Sequence, residues 1–286
     1  MLKGYRLHKT IWRVFWSVVI GLFAFAMIIP FLWMLSASMK HESDVMKLPI
    51  DWIPNYFYFN NYLNVWHIGR EAATNYHFGL AYCNSLKIAG INLFGAVFTS
   101  TLAGYAFAKI PFRGRDKVFL LYLATMMVPS QVTLIPRFVI FNQLHLMGTH
   151  WPLILPMLVT ITGTFLLRQY FMQVPNSLRE AAIIDGASEF KTWWRIMVPI
   201  ATPSMGALAM LDFLWNWNNY LDALVFLSNW RLYTIPVALT NFIEESLTEY
   251  GLLMAAASSA LIPIFLVFLF GQRFFVKGIV AGAVKG

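Results

Sequence analysis

The sequence predicts an all-α membrane protein with six transmembrane helices and both termini cytoplasmic. Three observations carry this prediction. Of 286 residues, 59% are hydrophobic and only 12% are charged, with a mean hydropathy of +0.61; a soluble fold of this size cannot hide so much apolar surface. Six stretches are apolar for the roughly 20 residues that a helix needs to cross a bilayer: 14–36, 84–108, 118–140, 152–172, 202–228 and 252–275. The cations are also unevenly placed. With the N-terminus inside, the inner segments contain Lys3, Arg6, Lys9 and Arg13, then Lys109, Arg113, Arg115 and Lys117, then Arg168, Arg179, Lys191 and Arg195, and finally Arg273, Lys277 and Lys285. These segments hold most of the 21 Lys and Arg residues but only Asp116, Glu180, Asp185 and Glu189 of the 13 acids. That is the asymmetry of cytoplasmic loops, so the net charge of +8 needs no nucleic-acid partner. Disorder and a disulfide scaffold are excluded, the latter because Cys83 is the sole cysteine.

Each element has its own signal. The first span follows a basic tail, as a signal peptide would, but exceeds the 7–15 residues of a signal-peptide core and reads as uncleaved. Residues 1–83 comprise this tail, the span and an external connection, 38–82, whose Trp52, Tyr56, Tyr58, Tyr62 and Trp66 suit a membrane-interface belt. Residues 84–275 form a five-helix core, and 276–286 a cytoplasmic tail. In the second span Ala96, Ser100 and Gly104 make a small-residue stripe for close helix contact, with Asn92 and Thr99 extending a polar seam. The third contains Pro129, Gln131, Pro136 and Arg137; two prolines within one span predict a kink or break. Arg137 either snorkels outward or recruits an anionic ligand.

The fifth span holds the densest polar group. Asp212, Asn216 and Asn219 recur at helical spacing and are expected to share a face, with Trp215, Trp217 and Tyr220 nearby. Aromatic faces beside amides suit sugar rings, which stack their C–H faces and need fixed hydrogen-bond partners for their hydroxyls. Gln131, Asp212, Trp215, Asn216, Asn219 and Tyr220 are therefore the expected substrate pathway. Interhelical hydrogen bonding is the competing explanation for any one of them.

The inner loop at 174–199 is the most specific segment. Ser177-x-x-Glu180 reads as a capping box after Pro175. Asp185-Gly186 breaks that helix, Ser188 caps a second, and Pro199 follows its end. The result is a bent knuckle with an apolar face of Ala182, Phe190, Trp193 and Trp194, suited either to docking another protein or to lying on lipid.

Glu180-Ala181-Ala182, Asp185-Gly186-Ala187, Ile196 and Pro199 reproduce, in residues and spacing, the EAA motif of binding-protein-dependent ATP-binding-cassette (ABC) importer permeases. The ending Gln272-Arg273-Phe274-Phe275-Val276-Lys277-Gly278 through Gly286 resembles the carbohydrate-uptake class, in particular its smaller maltose-type subunit. The resemblance covers nearly the whole chain, and Trp193 departs from it, since the family usually has phenylalanine there. It implies a type I importer permease fold in a bacterial cytoplasmic membrane, moving a sugar by alternating access. Glu180, Ala181, Ala182, Asp185, Gly186, Ala187, Phe190 and Trp193 would form cytoplasmic coupling helices docked on an ATPase subunit. Gly282, Val284, Lys285 and Gly286 would make a second ATPase contact. The implied partners are a second permease, two ATPase subunits and an external solute-binding protein.

The chain contains no G-x-x-x-x-G-K-[ST] loop, so no cofactor is expected on it; ATP and Mg would sit on the partner ATPases. Neither a serine-nucleophile motif nor a metal-ligand spacing is present, so no catalytic role is expected. The competing function is an ion-gradient-driven transporter, which would rely on Asp212 as the deep carboxylate and leave the 174–199 loop unexplained. An oligosaccharide is the expected solute; Arg137 and Arg231 leave an acidic one, such as an alginate fragment, open.

Overall fold

A computed structural model describes residues 2–67, 78–245 and 249–283, and no strand occurs among them. Fourteen α-helices follow in order: α1 (Leu2–Ser38), α2 (Glu42–Val45), α3 (Asn60–His67), α4 (Phe78–Lys109), α5 (Arg115–Ala124), α6 (Leu134–Gln143), α7 (Trp151–Ile154), α8 (Ile161–Gln173), α9 (Asn176–Ile184), α10 (Glu189–Thr192), α11 (Val198–Trp217), α12 (Leu221–Phe226), α13 (Ile235–Glu245) and α14 (Tyr250–Ala283).

Among the described residues, five helical stretches are long and apolar enough to cross a membrane: Thr10–Ser38, Phe78–Lys109, Trp151–Gln173, Glu189–Trp217 and Tyr250–Phe274. The predicted third span is not one of them, because it is broken into α5 and α6. The break falls at Pro129: Val128 before it is extended (φ −82°, ψ 114°), as the proline ring demands of its predecessor. Pro136 does no such damage, because it lies in the first turn of α6, where its missing N–H has no helical acceptor.

Helix α4 is central, packing against α8 and α11; α11 packs against α14, and α14 against α1. The small-residue stripe of α4 lets α8 approach. Ala96 and Ser100 are fully buried, and a Cβ on Gly104 would sit 2.9 Å from the backbone nitrogen of Arg168. One core cluster lies where α4, α8 and α11 converge on the 174–199 loop, built from Tyr105, Leu167, Phe171, Val174, Trp193 and Met197. Another, toward the opposite ends of the helices, holds Ala89, Phe213, Trp217, Ile235 and Ala260. Most of α1 contributes to neither: from Ile11 to Leu32 its large apolar side chains are largely exposed, a surface fit for lipid or another apolar subunit.

Candidate functional site: a braced two-helix loop and a polar helix end

The loop between α8 and α11 starts at Pro175, which holds an extended conformation (φ −58°, ψ 138°) before α9. The expected capping box does not form. Helix α9 begins at Asn176, so Ser177 lies inside its first turn, and no side chain caps the helix. The helix start is instead fixed from α4: the Lys109 ammonium donates to the Val174 carbonyl and, at 2.6 Å, to Asn176 Oδ1.

The far end of α9 follows the expectation closely. Gly186 has φ +79°, the left-handed conformation that costs glycine nothing. Its N–H donates to Ile183 O and that of Ala187 to Ala182 O, both at 2.9 Å; together they close a Schellman motif. Ser188 then caps α10, its Oγ accepting from the Lys191 N–H at 3.3 Å.

The second helix does not stop before Pro199. It continues through a π-helical turn, Trp193–Met197, straight into α11. Pro199 lacks the N–H that would reach the Arg195 carbonyl, which is one reason the regular α pattern gives way there.

Charge braces the bend. Arg179 of α9 forms an ion pair with Glu189 of α10, and its Nε also donates to Glu189 Oε2 at 3.2 Å. Tyr105 of α4 donates its hydroxyl to the same Oε2 at 2.6 Å. Hydrogen bonding to the Glu189 carboxylate pushes the Arg179 guanidinium pKa upward, so the brace stays charged.

The apolar face differs from the predicted one. Trp193 is 1% exposed, and Ala182 is also buried. Trp193 turns inward, meeting Phe98 edge-on at a centroid distance of 5.7 Å, and its indole N–H has no partner among the described residues. The most exposed apolar side chains of the loop are Ile184 (84% exposed), Phe190 (62%) and Trp194 (55%), with Leu178 and Ile183 less so. Glu180, Ala181 and Asp185 are exposed beside them, with Ala187 half-buried.

The predicted substrate group divides. Asp212 and Trp215 line a cavity of about 220 Å³ together with Met157, Thr160, Thr162 and Leu208. Asn216 is buried and structural: its Nδ2 donates to Asp212 O at 2.8 Å and Asp212 Oδ2 at 3.1 Å, and its Oδ1 accepts from Asn92 of α4. Trp217 is structural too, donating its indole N–H to Ala260 O at 3.1 Å.

Asn219 does not share the Asp212 face, because α11 ends at Trp217. Asn219 lies in the turn before α12 and donates to Asp222 Oδ2 at 3.4 Å. Asp222 is buried and receives a two-point contact from Arg137 of α6, at 2.8 and 3.1 Å. Asp212 is therefore not the lone deep carboxylate, and Arg137 is neither a snorkelling anchor nor a free guanidinium. Gln131 lies exposed in the 128–133 turn, and Tyr220 is exposed at the start of α12.

Tyr105, Lys109, Arg179, Glu189 and Asp222 were absent from the predicted site; the last four had charge as their only signal, with nothing local to pair it, and Tyr105 had none. Among the described residues no group of three or more His, Cys, Asp or Glu could hold a metal. Gly282 lies in the last turn of α14, while Val284, Lys285 and Gly286 lie outside the described residues.

Comparison with known proteins agrees with this architecture. The chain is 30% identical over 279 residues to the arabinooligosaccharides transport system permease protein AraQ of Bacillus subtilis, covering 97% of each chain. It is 33% identical over 246 residues to the sn-glycerol-3-phosphate transport system permease protein UgpE of Yersinia pestis, covering 85% of this chain and 87% of that one. Its fold matches a crystal structure of a bacterial ABC transporter involved in import of the acidic polysaccharide alginate, with a TM-score of 0.80 and 23% identity over 93% of this chain and 96% of the other. Residues 95–280 match the family described as binding-protein-dependent transport system inner membrane component. The chain belongs to that family and is a membrane permease of the ABC importer type.

Proposed function

We propose that this chain is one of two membrane subunits of an ATP-driven importer that moves an oligosaccharide across the bacterial cytoplasmic membrane by alternating access. The braced 174–199 loop is the observation that carries the reading. Two helices locked at a fixed angle, with Ile184, Phe190 and Trp194 turned outward, form a rigid apolar knob that needs a partner's cleft. In this reading they are the coupling helices, and Glu180, Ala181, Asp185, Gly186 and Ala187 shape the docked surface while Ala182 and Trp193 seat it on the core. The α5–α6 pair supplies the sixth crossing, both termini are cytoplasmic, and Gly282 through Gly286 make a second ATPase contact. ATP and Mg belong to two ATPase subunits; a second permease completes the pathway, and an external binding protein delivers the solute.

The arabinooligosaccharide permease relative supports an oligosaccharide cargo, as does the exposed Trp215 indole beside Asp212 in the cavity. Support for an acidic cargo from these two arginines is weaker, since Asp222 already holds Arg137 and Arg231 alone of the pair is exposed. In vesicles holding this chain with its permease partner and both ATPases, uptake should require ATP and the binding protein and should persist when ion gradients are collapsed. Uptake driven by an ion gradient without ATPase subunits would establish the competing reading.

A further inference from the structure

We propose that Tyr105 and Lys109, one turn apart on α4, are positioning residues that clamp α4 to both halves of the 174–199 loop, so that loop and helix move as one body. This rests on the reading of the loop as the coupling element.

The loop has two routes into the membrane. One is the direct passage from α10 into α11, and it crosses the π-helical turn Trp193–Met197, whose hydrogen-bond pattern departs from a stiff α-helix. The other is lateral and polar. Lys109 grips the start of α9 through Val174 O and Asn176 Oδ1, and Tyr105 grips the start of α10 through Glu189. Glu189 in turn holds Arg179 of α9.

The left-handed turn at Gly186, where α9 and α10 could hinge, is thus spanned by contacts to a third helix. Both gripping side chains are buried. Apolar packing alone lets helices slide in small steps. A buried ammonium with two oxygen acceptors, and a buried hydroxyl on a carboxylate, resist sliding, because each would leave an unpaired polar group.

From there the connection reaches the cavity. Asn92 of α4 donates to Asn216 of α11, and Asn216 donates to Asp212 on the cavity wall. A displacement of the loop therefore has a path along helix α4 itself and then through the Asn92–Asn216 hydrogen bond to Asp212, and this path bypasses the π-helical turn.

The test uses the complete importer in nanodiscs, with Cys83→Ser and Trp215→Cys as a cavity reporter and a membrane-impermeant maleimide as the probe. Adding ATP to a complex whose ATPase cannot hydrolyse it should change the labelling rate at position 215. Lys109→Met combined with Tyr105→Phe should reduce that ATP-dependent change about fivefold or more, in the range expected for loss of coupling along a contact network. Co-purification with the ATPase and nucleotide binding should be unchanged. Tyr105→Phe alone should give part of the effect, and Lys109→Arg should restore most of it. An unaltered ATP response in assembled clamp variants overturns the proposal. If the parent complex shows no ATP response at all, the coupling reading itself fails, and the clamp with it.

Discussion

The 174–199 loop and the 212–226 segment are both dense in polar and aromatic residues, yet they are built by opposite means. In the loop, backbone-directed residues act on their immediate neighbours: Pro175 ends one segment, Gly186 closes a Schellman turn and Ser188 caps the next helix. At and just beyond the end of α11, the contacts that join this segment to the other helices link distant parts of the chain. Asn216 meets Asn92 and Asp222 meets Arg137, with sequence separations of 124 and 85. The first region takes its shape from local chemistry and is then braced by α4. The second exists only once α4, α6 and α11 have been brought together.

That contrast predicts where substitutions do most damage. Asp222→Ala should cost most, about 3–5 kcal/mol, because it leaves the Arg137 guanidinium buried and unpaired. Asp222→Leu with Arg137→Met should recover most of the loss in a thermal melt of the purified complex. Equal losses in the single and double variants would break the claim that this pair joins α6 to α12.

In the proposed reading the two adjacent tryptophans divide fold from docking. Trp193→Ala should cost about 3 kcal/mol by opening a cavity in the core. Trp194→Ala should leave the melt within about 0.5 kcal/mol while lowering ATP-driven uptake. Identical phenotypes would erase the distinction between an inner and an outer face.

Gly186→Val should cost about 1–2 kcal/mol, the price of the left-handed conformation; a Cβ there meets nothing within 4 Å, so the effect is conformational. Its mark should be more ATP hydrolysed per solute moved. Trp193→Phe should be the mildest of the changes at buried positions, under about 1.5 kcal/mol, because it keeps an aromatic plug and removes an indole N–H that has no partner among the described residues.

The legibility of the sequence follows the same line. Apolar length revealed four of the helical stretches near their final bounds, and Pro129 marked the break in the third. The turn at Gly186 and the cap at Ser188 were readable because such signals act over three or four residues. The failures share one cause. Helical spacing placed Asn219 with Asp212, but α11 ends at Trp217, and the Asn218-Asn219 pair that follows is only a weak local stop signal. Trp193 looked like an outward knob because periodicity cannot say which face of a short helix the core will take. Ser177 and Glu180 matched a capping box, yet Lys109, far away in sequence, fixes that helix start instead.

The central claim is that the loop docks through Ile184, Phe190 and Trp194 while its other face stays on the core. Photo-cross-linking tests it most directly. In the assembled importer with Cys83→Ser, a benzophenone maleimide is attached to cysteine replacing Ile184, Trp194 or the buried Ala182. Ile184→Cys and Trp194→Cys should yield adducts with the ATPase subunit, and Ala182→Cys should yield none. Silence at 184 and 194 in a complex that still hydrolyses ATP, or an adduct from 182 alone, would contradict the account.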